Sequence, residues 1–205
     1  MLEATNLECV RGDRKLFINI SFSITSGTLL QITGPNGSGK TSLLRIVCGL
    51  MAPENGEVRW QGANIRSLGE EYSRNFSYVG HRNGVKEELT SLENLRISSG
   101  LTGIELSREE AKQALGQVGL ARRENLPARF LSEGQRRRSA LARLITANTR
   151  LWVLDEVLAS LDSAAVRLVN SLIEGHLSKG GMAIVATHQE LMLSAGSFQR
   201  LELAS

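Results

Sequence analysis

Three kinds of residue or segment are scarce in this 205-residue chain, and each scarcity excludes a class of protein. Aromatic residues make up only 4% of the sequence, too few for the rings that accompany basic residues on a typical nucleic-acid-binding face. The two cysteines, Cys9 and Cys48, do not have the spacing of a metal or redox motif. No apolar run approaches the ~20 residues that a membrane-spanning helix needs. We therefore expect a protein of a reduced, cytoplasmic compartment that binds no nucleic acid.

The rest of the composition is that of an ordinary globular domain. Hydrophobic residues make up 41% and charged residues 22%, and the chain is long enough to bury a core. The formal net charge of +3 is too small to indicate a polyanionic partner. The first four residues lack a basic segment leading into an apolar stretch, so no signal peptide is expected. Any membrane role must then come through a partner chain.

A glycine-rich loop is the first motif that carries chemistry. It reads Gly34-Pro35-Asn36-Gly37-Ser38-Gly39-Lys40-Thr41, and Ser42 follows as a further candidate contact. An apolar strand over residues 28–33 leads into it and helical spacing follows over 40–50, the context that a phosphate-binding loop requires. Glycines let backbone N–H groups approach phosphates closely, and the helix start adds its positive dipole end. We predict that Lys40 reaches the β- and γ-phosphates and that the Thr41 hydroxyl binds Mg²⁺; a chance glycine-rich turn is the alternative.

Two carboxylates follow a buried strand at residues 151–154. Ligands bind at the carboxyl edge of such sheets, where Asp155 and Glu156 would lie. Asp155 is predicted to act on Mg²⁺ through a water, and Glu156 to polarise the water that attacks the phosphate. Taken alone, the pair would more simply be an acidic pair in a solvated turn, and only the phosphate loop upstream favours the catalytic interpretation.

The segment Leu131-Ser132-Glu133-Gly134-Gln135 lies between these two motifs. Seen by itself, it is as easily an ordinary helix capping box. In this position, however, it resembles the signature of the ATP-binding cassette (ABC) ATPases. The resemblance implies an α/β P-loop NTPase fold, namely a single ABC nucleotide-binding domain over 1–205. Its mixed β core would comprise 1–83 and 149–205, with an inserted α-helical subdomain at 84–148.

The same resemblance implies a role for each site residue and a second copy of the chain. Catalysis would rest on Lys40, Glu156 and His188, the last following the predicted strand Met182–Ala186 as the histidine that contacts the γ-phosphate. Ser132, Gly134 and Gln135 would face the ATP bound by the other copy. The protein would then be a homodimer with ATP and Mg²⁺ at its interface. Asp162, in the loop 159–162, would connect the two sites.

Four positions depart from the general ABC pattern. His81 stands where a glutamine usually follows a Tyr-Val strand, and it would contact Mg²⁺-bound water or sense a membrane partner. Arg11 lies near the place of the aromatic residue that stacks on adenine, and a guanidinium can also stack on a base. Glu133 replaces a glycine of the signature, and Val157 replaces a proline. These departures leave the kinetics and the base selectivity open.

The stretch at residues 80–95 narrows the resemblance to the ATP-binding subunit of the cytochrome c biogenesis (haem exporter) complexes. The short chain agrees with it, as does Gly180-Gly181 ahead of Thr187-His188-Gln189. It implies an ATPase held peripherally on the cytoplasmic face of the inner membrane by integral membrane subunits. Such a subunit would power haem handling without binding haem itself. The alternatives are a soluble ABC ATPase of the iron–sulfur assembly type, an ABC importer or exporter subunit for another cargo, and a stand-alone P-loop kinase or GTPase.

Two further expectations concern side chains on helices. His176 lies near the end of a predicted helix, so we expect it to be charged and to interact favourably with the negative end of the helix dipole. Arg136, Arg137 and Arg138 are consecutive on the signature helix, so they must point in three directions, one of them towards phosphate or the dimer interface.

Overall fold

An antiparallel sheet of four strands opens the chain in the computed structural model, which describes residues 1–159, 161–189, 191 and 196–204. Its strands are β1 (Leu2–Arg11), β2 (Arg14–Ile24), β4 (Asn55–Trp60) and β5 (Ala63–Asn64), in the spatial order β2-β1-β4-β5. Of these four strands the sequence predicts only β4, as a shorter strand over Glu57 to Trp60. Asn6 and Asn19 have positive φ values of 50° and 53°, and the pairing of β1 with β2 shifts register after Ala4. These irregularities break the two-residue alternation by which strands are recognised.

The glycine-rich loop, the Asp-Glu pair and His188 all lie at or just after the ends of strands of a second, largely parallel sheet. Its strands are β3 (Thr28–Thr33), β6 (Phe76–Val79), β7 (Leu151–Asp155), β8 (Met182–Ala186) and β9 (Ser197–Glu202), in the order β6-β7-β8-β3-β9 among the described residues. Every residue of β7 and β8 is buried, as is usual for a sheet covered on both faces. The strands predicted at 28–33 and Met182–Ala186 are confirmed as β3 and β8, and the strand that the sequence also predicts over Phe76–Val79 is confirmed as β6. Strand β7 extends one residue beyond its predicted end, to Asp155. The edge strand β9 is not predicted from the sequence, because its residues are mostly exposed and polar and form no apolar run.

Helix α1 (Lys40–Val47) follows β3 and packs on the core of this part of the chain. Its apolar side chains are fully buried with those of β3 and β8, and each contributes about 2 kcal/mol through burial. The prediction that the helix continues to Leu50 is wrong. Gly49 adopts a left-handed φ of 70° and ends the helix, which leaves Leu50 exposed. Cys48, which follows the last residue of α1, is buried in the core. Two short helices, α2 (Ile65–Leu68) and α3 (Glu70–Ser73), lie between β5 and β6.

The chain divides into two units by its internal contacts. The first comprises Met1–Tyr78, Arg150–Glu156 and Asn170–Ser205, and the second Val79–Thr149 and Val157–Val169. The second unit is mainly helical, with α4 (Ser91–Leu101), α5 (Arg108–Gln117), a 3₁₀ turn (Ala128–Phe130) and α6 (Glu133–Thr146). The division into functional core and helical subdomain at residues 84 and 148 stays a prediction.

Capping boxes start the three long helices of the second unit, at the three places where the sequence has the pattern Ser/Thr-x-x-Glu/Gln that predicts them. Thr90 and Glu93 cap α4, Ser107 and Glu110 cap α5, and Ser132 and Gln135 cap α6. In each box the hydroxyl accepts the N–H three residues on, and the longer side chain accepts the N–H of the cap residue. Asp162 caps the start of α7 (Ser163–Ser178) by a single bond, because its Oδ1 accepts the Ala165 N–H at 2.7 Å. A bilayer-spanning helix, long and apolar enough for the purpose, is not found in the described ranges.

The expectation of a charged His176 is wrong. Its ring lies flat against Trp152 of β7, with centroids 4.0 Å apart and planes inclined by 6°. Burial lowers the pKa of His176 from its ordinary value, and Nε2 donates to the Met182 carbonyl at 3.1 Å. A side chain at Gly181 would collide with the same ring. The residue is therefore a neutral aromatic spacer between α7 and the sheet.

This buried histidine should make the fold sensitive to acid. Because its folded pKa lies below the unfolded value of ~6.5, the unfolded chain takes up the proton first as pH falls. The contribution of neutral His176 to stability is complete above ~pH 6.5 and is lost as pH falls from there to the folded pKa. His176→Phe keeps a stacking ring without the titration, so it should lose less stability than the parent between about pH 8 and about pH 5.5. Urea denaturation at both pH values measures this, and equal losses would contradict it.

Candidate active site

The loop between β3 and α1 lines an open cleft of about 280 Å³. The cleft is lined by Arg11, Leu16, Asn36, Gly37, Gly39, Lys40, Thr41, Ser42 and Glu156. Helix α1 begins directly after Gly39, which has no side chain to cap it, so the first N–H groups of the helix point to this end. The buried Ser38 hydroxyl has no hydrogen-bond partner among the described residues. The loop therefore offers the cluster of N–H and O–H donors that a phosphate group requires.

Gly39 shows why this loop needs glycine. Its φ is 100°, and a Cβ built there would lie 2.9 Å from Cδ1 of Phe17, a buried ring of β2. The backbone thus turns tightly over Phe17 immediately before Lys40. Ser42, in the first turn of α1, also lines the cleft, and its hydroxyl faces the Cys9 thiol of β1. This contact opposes the larger effect of burial, which raises the pKa of Cys9.

Lys40 extends its buried side chain back over the loop. Nζ donates to the carbonyls of Gly34 at 2.8 Å and Pro35 at 3.2 Å. It also lies 3.1 Å from Nε2 of His188. The same Nε2 lies 3.2 Å from Oδ1 of Asn36. A lysine only donates and Oδ1 only accepts, so the His188 tautomer decides which of these two contacts is a hydrogen bond. The histidine is thereby placed at the loop that sequence reasoning assigns to the phosphates.

Asp155 is almost completely buried at the carboxyl end of β7, with 1% of its surface exposed. Its Oδ1 accepts a hydrogen bond from the Thr41 hydroxyl at 3.2 Å, and Oδ2 accepts one from the Tyr78 hydroxyl at 3.3 Å. Burial, and then the charge of Asp155, raise the pKa of Tyr78 to about 12, so the phenol remains a donor at neutral pH. Both carboxylate oxygens are therefore oriented by side chains from separate parts of the chain.

Glu156 follows in a strained backbone conformation. Its φ is 53°, uncommon for a residue with a side chain, and its N–H donates to the Ala186 carbonyl at 2.9 Å. Oε1 lies 3.6 Å from His188 Nε2 and 3.9 Å from Lys40 Nζ. The turn after β7 thus directs this carboxylate back into the cleft, beside two nitrogen groups.

The structure therefore brings together the predicted residues of the first unit: the loop 34–41, Ser42, Arg11, Asp155, Glu156 and His188. Ser132, Gly134 and Gln135 lie in the second unit, at the start of α6. There the Ser132 Oγ accepts the Gln135 N–H at 3.2 Å and Gln135 Oε1 accepts the Ser132 N–H at 3.0 Å. The helix-start N–H groups not used in this box are those of Glu133 and Gly134.

His81 is exposed in the loop after β6, in the second unit, and its predicted contact with Mg²⁺ stays a prediction. The predicted divergence of Arg136, Arg137 and Arg138 is confirmed, since each donates to a different group: the Glu87 carboxylate, the Gly80 carbonyl and the Val118 carbonyl, respectively. The approach of one of them to phosphate stays a prediction. Ser160, in the loop expected to connect two sites, lies outside the described residues.

Sequence reasoning missed Tyr78 as part of the site. It lies on β6, next to β7 in the sheet, and strand ends that neighbour each other at the carboxyl edge share ligands. The available signal was its position three residues before His81, at the end of a predicted strand.

Removing the Tyr78 hydroxyl tests its role in orienting Asp155. Tyr78→Phe should lower nucleoside triphosphate turnover by about fivefold and raise the Mg²⁺ concentration needed for half-maximal activity, because one hydrogen bond to the carboxylate is lost. Turnover measured across a Mg²⁺ titration is the readout. Tyr72→Phe is the matched control: its hydroxyl donates to the Val47 carbonyl at 2.8 Å, so the change should affect stability alone. An unchanged Mg²⁺ requirement in Tyr78→Phe would contradict the assignment.

Comparisons with known proteins agree with this geometry. The profile of the ABC transporter family matches residues 17–159. The cytochrome c biogenesis ATP-binding export protein CcmA of Nitrosomonas europaea is 55% identical over 100% of this chain and 96% of its own length. The CcmA protein of Nitrosospira multiformis is 55% identical over 98% of each chain.

A solved structure extends the similarity to three dimensions. The ATP-binding cassette MJ0796, determined as a dimer in a post-hydrolysis state bound to ADP and Pi, is 27% identical with a TM-score of 0.79. The match covers 92% of this chain and 88% of that one. The predicted α/β P-loop NTPase fold of the ABC type is confirmed by this similarity.

Proposed function

The chain belongs to the ABC transporter family, among the cytochrome c biogenesis ATP-binding export proteins, and on that premise we propose that it powers haem handling as the ATPase subunit of a membrane complex. The observation that carries the proposal is the convergence of Lys40, Thr41, Asp155, Glu156 and His188 on one cleft. Phosphoryl transfer from ATP requires N–H and O–H donors that hold the phosphates, a carboxylate that binds the metal and a second carboxylate that orients the attacking water.

Each residue of the cleft has a distinct task. The loop N–H groups and Lys40 hold the β- and γ-phosphates, and the ammonium balances charge as the terminal phosphate departs. Glu156 orients the attacking water, with His188, 3.6 Å from it, contacting the γ-phosphate. The left-handed backbone at Glu156 sets the direction of the carboxylate, so its strain supports function. Arg11 and Leu16, on the cleft wall, receive the base.

The donor set fits Mg²⁺. The Thr41 hydroxyl and the buried Asp155 carboxylate are hard oxygen ligands, 3.2 Å apart in a hydrogen bond. Among the described residues, no three His, Cys, Asp or Glu side chains cluster to hold a metal on their own. Binding would therefore depend on phosphate oxygens as well. When bound, the ion would neutralise charge on the β- and γ-phosphates.

A second copy of the chain completes each site in this proposal. The helix start at Ser132 offers the Glu133 and Gly134 N–H groups to an anion, but it belongs to a different unit from Lys40. The dimer reported for MJ0796 supports a homodimer with ATP at its interface. Glu133 is exposed in the first turn of α6, where its negative charge interacts favourably with the positive end of the helix dipole. The same charge repels an approaching triphosphate.

The membrane role is assigned to partner chains. The names of the relatives concern export in cytochrome c biogenesis, which supports integral membrane subunits of a haem exporter as partners. The chain would bind them peripherally at the cytoplasmic face of the inner membrane, through the second unit and the His81 loop, and would not contact haem itself. ATP-driven closure would be transmitted through that surface.

Affinity purification from detergent-solubilised membranes tests the proposal. The tagged chain should retain integral membrane proteins of the cytochrome c biogenesis system and hydrolyse ATP in their presence. Recovery from the cytosol with iron–sulfur assembly proteins, or with membrane subunits of another transporter, would contradict the haem assignment. A preference for GTP in the same preparation would contradict the assignment of ATP as the substrate.

A further inference from the structure

We propose that Arg137 and Arg143 of α6 are positioning residues that fasten the His81 loop, residues 80–87, to the helix that begins at Ser132. The inference rests on the proposed function, because it concerns how nucleotide contact at Ser132 reaches the His81 loop. The residues proposed to link Ser132 to the His81 loop all lie within the second unit.

Two guanidinium groups, that of the buried Arg137 and that of the half-buried Arg143, hold the first half of the loop. Arg137 has 5% of its surface exposed, and its Nη1 donates to the Gly80 carbonyl at 2.9 Å. Arg143, six residues further along α6, donates from Nη2 to the Asn83 carbonyl at 2.7 Å and from Nε to the Ala140 carbonyl at 3.1 Å. The acceptors Gly80 and Asn83 flank His81. Main-chain carbonyls are the target, so the contacts fix the path of the loop.

Packing alone does not account for these arginines. Burial of a guanidinium carries a desolvation cost that an apolar side chain of similar length avoids, and it lowers the pKa of Arg143. The planar fork of arginine is suited to reaching two carbonyls at once, here one in its own helix and one in the loop. Gly84 has a φ of 61°, and a Cβ there would lie 3.3 Å from Nη1 of Arg143. The loop backbone thus lies directly on the arginine.

The second half of the loop is tied to the segment just ahead of the signature. The Arg129 N–H donates to the Glu87 carbonyl at 3.0 Å, and the Ala128 N–H donates to the Leu89 carbonyl at 2.9 Å. A bridge between Thr90 and Pro127 continues this pairing. The His81 loop is therefore bonded both to the residues that precede Leu131-Ser132 and to the helix that follows them. A displacement of the signature displaces the loop as well.

The neighbouring arginine provides a matched control. Arg138 donates to the carbonyls of Val118 at 3.4 Å and Gly119 at 3.3 Å, after the end of α5, rather than to residues 80–87. Arg138→Met removes the same charge from the same helix. It should leave the exchange behaviour of the His81 loop unchanged.

Hydrogen exchange of the loop amides in the Glu156→Gln chain, with and without Mg·ATP, tests the proposal. In that chain we expect Mg·ATP to slow exchange in residues 80–87 by about tenfold. The double variant Arg137→Met/Arg143→Met should exchange about tenfold faster without nucleotide, because hydrogen bonds from charged donors are lost, and should not respond to Mg·ATP although it still dimerises. Arg143→Lys keeps the charge but replaces two separated nitrogen donors by one, so it should keep at most part of the contact with the Asn83 and Ala140 carbonyls and respond partially.

The outcomes separate the two proposals. Loss of the response in the double variant, with a normal response in Arg138→Met, supports the fastening role. A dimer whose loop is protected equally in the double variant overturns it and leaves the proposed function intact. Absence of any ATP-driven dimer in the parent overturns the proposed function and the inference together. If the double variant fails to fold, Arg143→Lys decides: a full response overturns the inference and a weakened one supports it.

Discussion

Lys40→Met should reduce ATP hydrolysis by about a thousandfold, the largest effect expected of any substitution outside the acidic pair. Methionine preserves the length and burial of the side chain but removes the ammonium, which lies within 3.1 Å of His188 and 3.9 Å of Glu156. The transition state for phosphoryl transfer then loses the positive charge that balances the departing phosphate. Phosphate release under saturating ATP and Mg²⁺ measures the loss.

A surface lysine controls for the charge change. Lys15 on β2 is exposed and pairs with Glu8 at 3.1 Å, so Lys15→Met should retain nearly full activity. Thermal unfolding of both variants separates loss of chemistry from loss of fold. Activity of Lys40→Met within about tenfold of the parent would show that the ammonium does not stabilise the transition state.

Glu156→Gln should bind ATP, hydrolyse it at least about a hundredfold more slowly, and accumulate as a dimer. The amide is isosteric, so the left-handed backbone at this position and its bond to the Ala186 carbonyl are preserved. What is lost is the carboxylate that orients the water, and ATP then persists at the interface. Size-exclusion chromatography should show a dimer with Mg·ATP and a monomer with Mg·ADP.

Glu70→Gln on α3 is the matched change at an exposed position, where the carboxylate only approaches Arg74 at 3.7 Å. It should turn over ATP normally and show no trapped dimer. A Glu156→Gln chain that stays monomeric with Mg·ATP at high protein concentration would contradict the shared site. A chain that dimerises and hydrolyses ATP at the normal rate would contradict only the role of Glu156.

Local sequence signals predicted the parts of the fold that depend on neighbouring residues. The strand Thr28–Thr33, the glycine loop and the start of α1 form one contiguous motif, and the three capping boxes need only four residues each. These motifs can be recognised from sequence because the residues that form their hydrogen bonds are close neighbours in the chain. The convergence of the phosphate loop and the Asp-Glu pair was also predictable, since both follow strands of one parallel sheet.

Contacts between distant residues account for what was missed or wrong. Tyr78 becomes a partner of Asp155 only because β6 and β7 are neighbours in the sheet. His176 is neutral because Trp152, distant in sequence, covers its ring, and this packing outweighs the helix dipole. The strained φ of Glu156 and the bulges of β1 follow from tertiary pairing that no local pattern records.

Mixing two inactive variants tests the central claim most directly. In one variant, Lys40→Met removes the ammonium of the phosphate-binding loop. In the other, Ser132→Arg blocks the start of α6. If each pocket takes Lys40 from one copy and Ser132 from the other, a mixed dimer contains one pocket with neither defect. Random pairing should then restore about a quarter of the parent ATPase activity. Activity that stays at the level of the separate variants, while mixed dimers form, would show that each chain works alone.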